Sequence, residues 1–164
     1  MSVVRTTRPG VYDRAVASRP ARSEMADVVA TRLRHRGQRV TESRTALVDA
    51  LARASRPLTI PELQQHAPGL ATSSAYRNLQ VLETAGLVHR IVTAGDHARY
   101  ELAEDLTEHH HHLICSECGA IEDVPASARL EQSVERAAAD IERRTGFHTQ
   151  HHRVDLVGRC RSCS

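Results

Sequence analysis

The sequence predicts an α+β fold in two parts, short amphipathic helices closed by a two-stranded hairpin and then a small mixed unit pinned by four cysteines. Three observations carry that expectation. Apolar residues recur at helical spacing in four stretches before residue 86 and alternate along extended stretches after it. Four cysteines fall as two CxxC pairs, Cys115 with Cys118 and Cys160 with Cys163, with 41 residues between them. Charge divides at Ala103, with 15 Arg against 9 acids before the cut (+6) and 7 against 11 after it (−4), which together give the net +2. A basic part suits nucleic acid, and an acidic part rich in His and Cys suits cations.

Residues 1–22 hold five Arg, one Asp and no apolar period, and read as a flexible basic tail. Ser23 is placed to cap a helix running to about Arg36, with Met25, Val28, Val29 and Leu33 on one side and Gly37 ending it. Thr41 opens a second helix with Leu47, Val48, Ala50 and Leu51 as its stripe. Thr59-Ile60-Pro61-Glu62 has the form of a capping box and starts a short third helix ending before Pro68. Thr72, Ser73 and Ser74 offer N-cap hydroxyls for a fourth helix through Ala85, stopped by Gly86. Extended stretches over 87–93 and 98–102, joined by Ala94-Gly95-Asp96-His97, complete a hairpin. Helices followed by such a hairpin make a winged helix-turn-helix over 23–103. The fourth helix of such a module enters a major groove by its first turns, which here carry Ser74, Tyr76 and Arg77. Arg39 and Arg44 flank the second helix start, where phosphate contacts are expected.

The remainder, 104–164, is expected to fold as strand, CxxC turn, strand, helix, strand and second CxxC turn. The helix spans 127–144, with Leu130, Val134, Ala137, Ala138 and Ile141 facing the core; His152, Val154 and Leu156 alternate along the last strand. Four thiolates complete a closed tetrahedral zinc site of structural type. The paired spacing and the lack of an apolar secretory stretch disfavour disulfides and place the chain in the cytoplasm. No apolar run reaches the roughly 20 residues of a membrane span.

Four consecutive histidines, His109 to His112, precede the first CxxC pair. On an extended segment, alternate side chains point to opposite faces, so His110 and His112 face one way, His109 and His111 the other. One strand then supplies two imidazoles to each of two metal sets. Candidate partners are Glu101 and His89 on the hairpin, His152 on the last strand, and Glu131 or Glu135 on the helix. The two glutamates share a helix face, and spacing alone does not choose between them.

These residues resemble the ferric-uptake-regulator (Fur) family of metal-dependent transcriptional repressors, as a zinc- or iron-type (Zur/Fur-like) member. The matching stretches are Leu33-Arg-His-Arg-Gly-Gln-Arg-Val-Thr41, Ser74-Ala-Tyr-Arg-Asn-Leu79, Gly86-Leu-Val88, Arg99-Tyr-Glu-Leu102, the run from His109 to Gly119, and Gly158-Arg-Cys-Arg-Ser-Cys163. The resemblance covers about residue 23 onward. It implies a homodimer on a palindromic double-stranded operator, with Tyr76 and Arg77 touching DNA and 104–164 as the dimerisation domain. It implies structural Zn²⁺ on Cys115, Cys118, Cys160 and Cys163, a regulatory hinge set of His89, Glu101, His110 and His112, and a third set of His109, His111, Glu131 and His152. The hinge set suits Zn²⁺ or Fe²⁺. Peroxide-sensing members tend to have Asp where this chain has Glu101, which counts against oxidative sensing. A metal storage or chaperone protein and a zinc hydrolase are the alternatives; the latter lacks HExxH.

Overall fold

A computed structural model of the chain describes residues 20–93 and 98–164. The expected tail, apart from its last three residues, and the hairpin turn at 94–97 lie outside the described residues. Helices α1 (Arg22–His35), α2 (Glu42–Arg53), α3 (Ile60–His66) and α4 (Thr72–Thr84) are followed by the antiparallel pair β1 (Val88–Val92) and β2 (Ala98–Leu102). A 3-10 turn at Glu104–Leu106 leads to β3 (His110–Cys115) and β4 (Ile121–Pro125), then α5 (Ala128–Thr145) and β5 (Asp155–Gly158). The second sheet has the order β4-β3-β5, with β3 antiparallel to β4 and parallel to β5.

Local chemistry explains most boundaries. Thr59 and Glu62 form the reciprocal capping box of α3, and Glu62 in turn binds Arg56 Nη2 at 2.6 Å. Ser127 caps α5, and Gly146 ends it at φ 72°, a left-handed conformation that favours glycine. Two caps differ from expectation. Helix α1 begins two residues early, capped at Ala21 instead of Ser23, and the Ala21 N–H is taken by the Glu24 carboxylate at 3.0 Å. Helix α4 follows Ala71 with no side-chain cap, because Thr72 Oγ1 accepts from Gln64 Nε2 and Ser74 is engaged by Asn78.

The aliphatic core lies in the first part. Leu33, Leu47, Leu63, Leu79, Leu82 and Leu87 are fully buried. Leu58 pairs with Tyr100 across two backbone hydrogen bonds and adds a short third edge to the hairpin. Leu106 belongs to the same core, and Asp105 beside it pairs with Arg32 of α1. The helical half therefore continues packing three residues beyond Ala103.

The second part packs differently. Of the five residues expected on the core side of α5, only Ala138 is buried, while Ile141 stays 43% exposed. Leu156 and Val157 of β5 are 55% and 69% exposed. The three-stranded sheet and one helix are too small to cover these apolar faces within one chain.

Replacing Leu79, which has no exposure, by Ala is expected to destabilise the helical half by about 2–5 kcal/mol in urea unfolding. Thr59→Ala should cost about 1 kcal/mol through the lost cap.

Candidate metal centres and the DNA-facing helix

Among the described residues, three groups of side chains able to hold a metal converge, each with ligand atoms within 4.8 Å of one another. The first joins Cys115, Cys118, Cys160 and Cys163, all free thiols. The parallel pairing of β5 with β3 brings the two CxxC turns to one end of the sheet, with Cys118 and Cys160 sulfurs 3.8 Å apart. Backbone N–H groups of Cys118, Cys160 and Glu117 aim at the Cys115 sulfur and bring its pKa down to about 6. The neighbouring sulfurs push Cys163 up to about 12. One site thus carries a thiolate beside a thiol that holds its proton, and a divalent cation is the charge that would let all four ionise.

The histidine run divides between the other two groups as strand geometry requires. His109 Nε2 lies 3.1 Å from Glu131 Oε2, His111 Nε2 2.8 Å from Oε1, and His152 Nε2 3.2 Å from Oε2. Glu131, in the first turn of α5, fills the carboxylate position; Glu135 lies outside the group.

On the other face, Glu101 Oε2 receives His112 Nε2 at 2.9 Å and His110 Nε2 at 3.3 Å. The fourth member is Asp123, not His89. The β3–β4 ladder sets Asp123 directly opposite His112, so its carboxylate rises on the same face. His89 sits across the hairpin from Glu101 but is exposed on β1 and outside the group. Asp123 Oδ1 is buried without a hydrogen-bond partner among the described residues, an orphaned acceptor that a cation satisfies. The group fits a divalent metal on that ground as well as by its donor set.

Carboxylates and carbonyls behind the imidazoles fix their orientation. The second nitrogen of His112 donates to Asp155 at 3.1 Å, that of His110 to the Glu108 carbonyl at 2.8 Å, and that of His109 contacts Glu104. Each leaves Nε2 aimed into its group. Burial raises the Glu101 carboxyl, but hydrogen bonds from His110 and His112 outweigh it and hold the group at about 2. The Glu101 hydrogen bond lifts His110 to about 9. Burial pushes Asp123 up and His109 down.

Helix α4 presents Tyr76, 57% exposed, and the exposed Arg77 side by side on its first turns. Arg39 is exposed nearby. Ser74 and Arg44 have other duties. The Arg44 guanidinium donates to Asn78 Oδ1, the Arg39 carbonyl and Gln38 Oε1, and Asn78 Nδ2 donates to the Ser74 carbonyl and hydroxyl. These two residues lock α4 against α2 and are already engaged within the chain.

A winged helix joined through its hairpin to a sheet bearing three metal-ligating groups defines a metal-binding, DNA-binding transcription regulator. The "Ferric uptake regulator family" model matches residues 35–157. The chain belongs to that family, whose members are regulators and not enzymes. It is 30% identical over 148 residues to the Peroxide operon regulator of Bacillus subtilis, spanning 88% of this chain and 96% of that protein. The Peroxide-responsive repressor PerR of Staphylococcus saprophyticus is 29% identical, over 81% of this chain and 87% of its own. Among solved structures, the ferric uptake regulator of Pseudomonas aeruginosa with manganese superposes with a TM-score of 0.64 and 27% identity, covering 82% of this chain and 98% of that one. That of Helicobacter pylori superposes at 0.69 with 22% identity, covering 90% and 96%, and shows the shared fold.

The protonation pattern has a measurable consequence. Below about pH 9 the metal-free Glu101 group carries a proton on His110, which a cation must displace. Its metal affinity should rise with pH up to that point by about tenfold per unit for each proton released, then level off. The Glu131 group, whose His109 is held below its ordinary value, should show a shallower slope. Chelator-competition titrations across this range check both.

Proposed function

We propose that this chain is a metal-responsive repressor of metal-homeostasis genes that binds a palindromic operator as a homodimer. The observation that carries the reading is the Glu101 group, whose ligands come from two different units. Glu101 belongs to the hairpin of the winged helix, while His110, His112 and Asp123 belong to the second sheet. Those four residues would hold the divalent cation, whose charge supplies the attraction that ties the hairpin to the sheet. Glu101 sets the angle between the two units when all four ligands are gathered. One orientation, selected in both protomers, places the two α4 helices in successive major grooves. Tyr76 and Arg77 then read or clamp the duplex, with Arg39 on the phosphate backbone. Ser74 and Arg44 act behind them by holding α4 in place.

Exposed Ile141, Leu156 and Val157 supply apolar surface that a second copy would cover. The four thiolates hold structural Zn²⁺ and keep the sheet assembled. Two imidazoles and two carboxylates make the regulatory set harder than three imidazoles and one carboxylate, which favours Fe²⁺ over Zn²⁺. The peroxide-regulator names of two similar proteins support a second reading, in which peroxide releases the Fe²⁺-loaded protein from DNA.

Fluorescence anisotropy with a palindromic duplex, titrated anaerobically with Fe²⁺, Zn²⁺ and Mn²⁺, tests the proposal. Metal should tighten wild-type binding by about 5–150-fold; an unchanged affinity would sink it. His110→Ala and Asp123→Asn should abolish the gain while keeping the dimer and the thiolate-bound zinc, and His89→Ala should keep the gain. Loss of DNA binding on adding peroxide to the Fe²⁺-loaded complex would select the second reading. Cys118→Ser should give a zinc-free chain whose second half is monomeric or unfolded by sedimentation and circular dichroism; a folded zinc-free dimer counts against the structural role.

A further inference from the structure

The side chain that joins the thiolate group to the DNA-facing half is Arg99. It projects from β2 of the hairpin and is only 14% exposed. Its Nε–H donates to the Gly119 carbonyl at 3.0 Å, and its Nη1 reaches Glu62 Oε2 at 3.5 Å. Gly119 is the residue after the first CxxC pair. It is buried, has φ 66°, and returns its own N–H to the Cys115 carbonyl at 3.0 Å. The Gly119 carbonyl therefore stands wherever the thiolate turn holds it. Glu62 is the capping-box residue of α3, clamped from the other side by Arg56, and α3 packs on α4. A continuous chain of contacts thus runs from the thiolate turn through Gly119, Arg99 and Glu62 to the base of the DNA-facing helix.

We infer that Arg99 is a positioning residue that sets the winged helix against the thiolate turn, so that the thiolate group contributes to operator recognition as well as to folding. Its planar guanidinium meets a carbonyl and a carboxylate at once, from two edges of one rigid fork. A lysine ammonium, a single point donor on a flexible stem, does not hold both at that separation. The Glu101 group grips the two units two residues further along the same strand, meeting His110 and His112 in the first half of β3, whereas Arg99 meets Gly119 beyond the end of β3. Two grips fix a relative rotation that one grip leaves free. For a dimer on DNA that rotation determines the separation of the two α4 helices, and hence which half-site spacing fits.

The operator consequence rests on the repressor reading above, so the test has one arm that needs no DNA. Full-length zinc-loaded wild type, Arg99→Ala and Arg99→Lys are compared by small-angle scattering and by amide exchange over residues 116–122, after zinc analysis shows one thiolate-bound zinc per chain. Arg99→Lys keeps the aliphatic stem and serves where Arg99→Ala does not fold. Both variants should show a larger maximum dimension and faster exchange than wild type, with the thiolate-bound zinc retained. Scattering and exchange identical to wild type overturn the inference. In the DNA arm, wild type should discriminate between palindromes whose half-sites differ in spacing by one base pair, and the variants should lose about tenfold of that discrimination. Variants that retain full discrimination overturn the inference, whereas a wild type with no operator binding overturns the repressor reading and leaves the first arm to decide.

Discussion

Everything in the second half of the molecule follows from the two-residue repeat of an extended strand. Four consecutive imidazoles on β3 cannot serve one site, because successive side chains leave the strand on opposite faces. His110 and His112 are delivered toward the hairpin of the winged helix, His109 and His111 toward α5. Neither pair is sufficient alone, so each face recruits a carboxylate from whatever packs against it. On one side that is Glu101, from another unit; on the other it is Glu131, from the helix of the same unit. The difference in origin is what separates a group able to govern the angle between units from one that stabilises a single unit. A slip of β3 by one residue would exchange the two pairs, and the ladder to β4, with its closure at the CxxC turn, prevents it.

Local signals made much of this legible in the sequence. The Thr59 capping box and the alternation of the histidine run each act within a few residues, and each is realised as expected. What escaped is set by contacts distant in sequence. Asp123 joins the Glu101 group because of strand register; counting back from the CxxC turn along an antiparallel ladder gives its pairing with His112. His89 enters the expected set through the family resemblance, yet it faces solvent on β1 while the sheet supplies the Asp123 carboxylate to the group. Arg44 looks like a free cation in sequence, and only the fold reveals that Asn78 and Gln38 take it. The apolar stripe of α5 points to a core in sequence because periodicity reports amphipathicity without reporting what covers the apolar side.

The electrostatic division of the chain acquires a structural meaning from these placements. The acidic excess after Ala103 is concentrated around imidazoles: Glu104 touches His109, Asp155 orients His112, and Asp123 faces His110. Such carboxylates raise the affinity of a site for cations and fix ring tautomers, a use of charge unrelated to solubility. The arginines of the first half are split in turn. Arg32, Arg44, Arg56 and Arg99 are spent on internal carbonyls and carboxylates, which leaves Arg39 and Arg77 among those free to meet phosphate or base.

The parallel pairing of β5 with β3 also sets an order of events during folding. The helices and hairpin of the first half close through neighbours in sequence, and such contacts form fast. The second half cannot close that way, since its central strand waits for a partner more than forty residues downstream and its two CxxC turns meet only when that partner arrives. Until then Leu113, the imidazoles and the thiols of the first turn stand open to solvent, to oxidants and to any metal present. The interval between synthesis of Cys118 and of Cys160 is therefore when the chain is most exposed to acquiring the wrong ion. Ligands that the fold gathers into closed groups thus pass first through a stage at which nothing but their own chemistry selects what they bind.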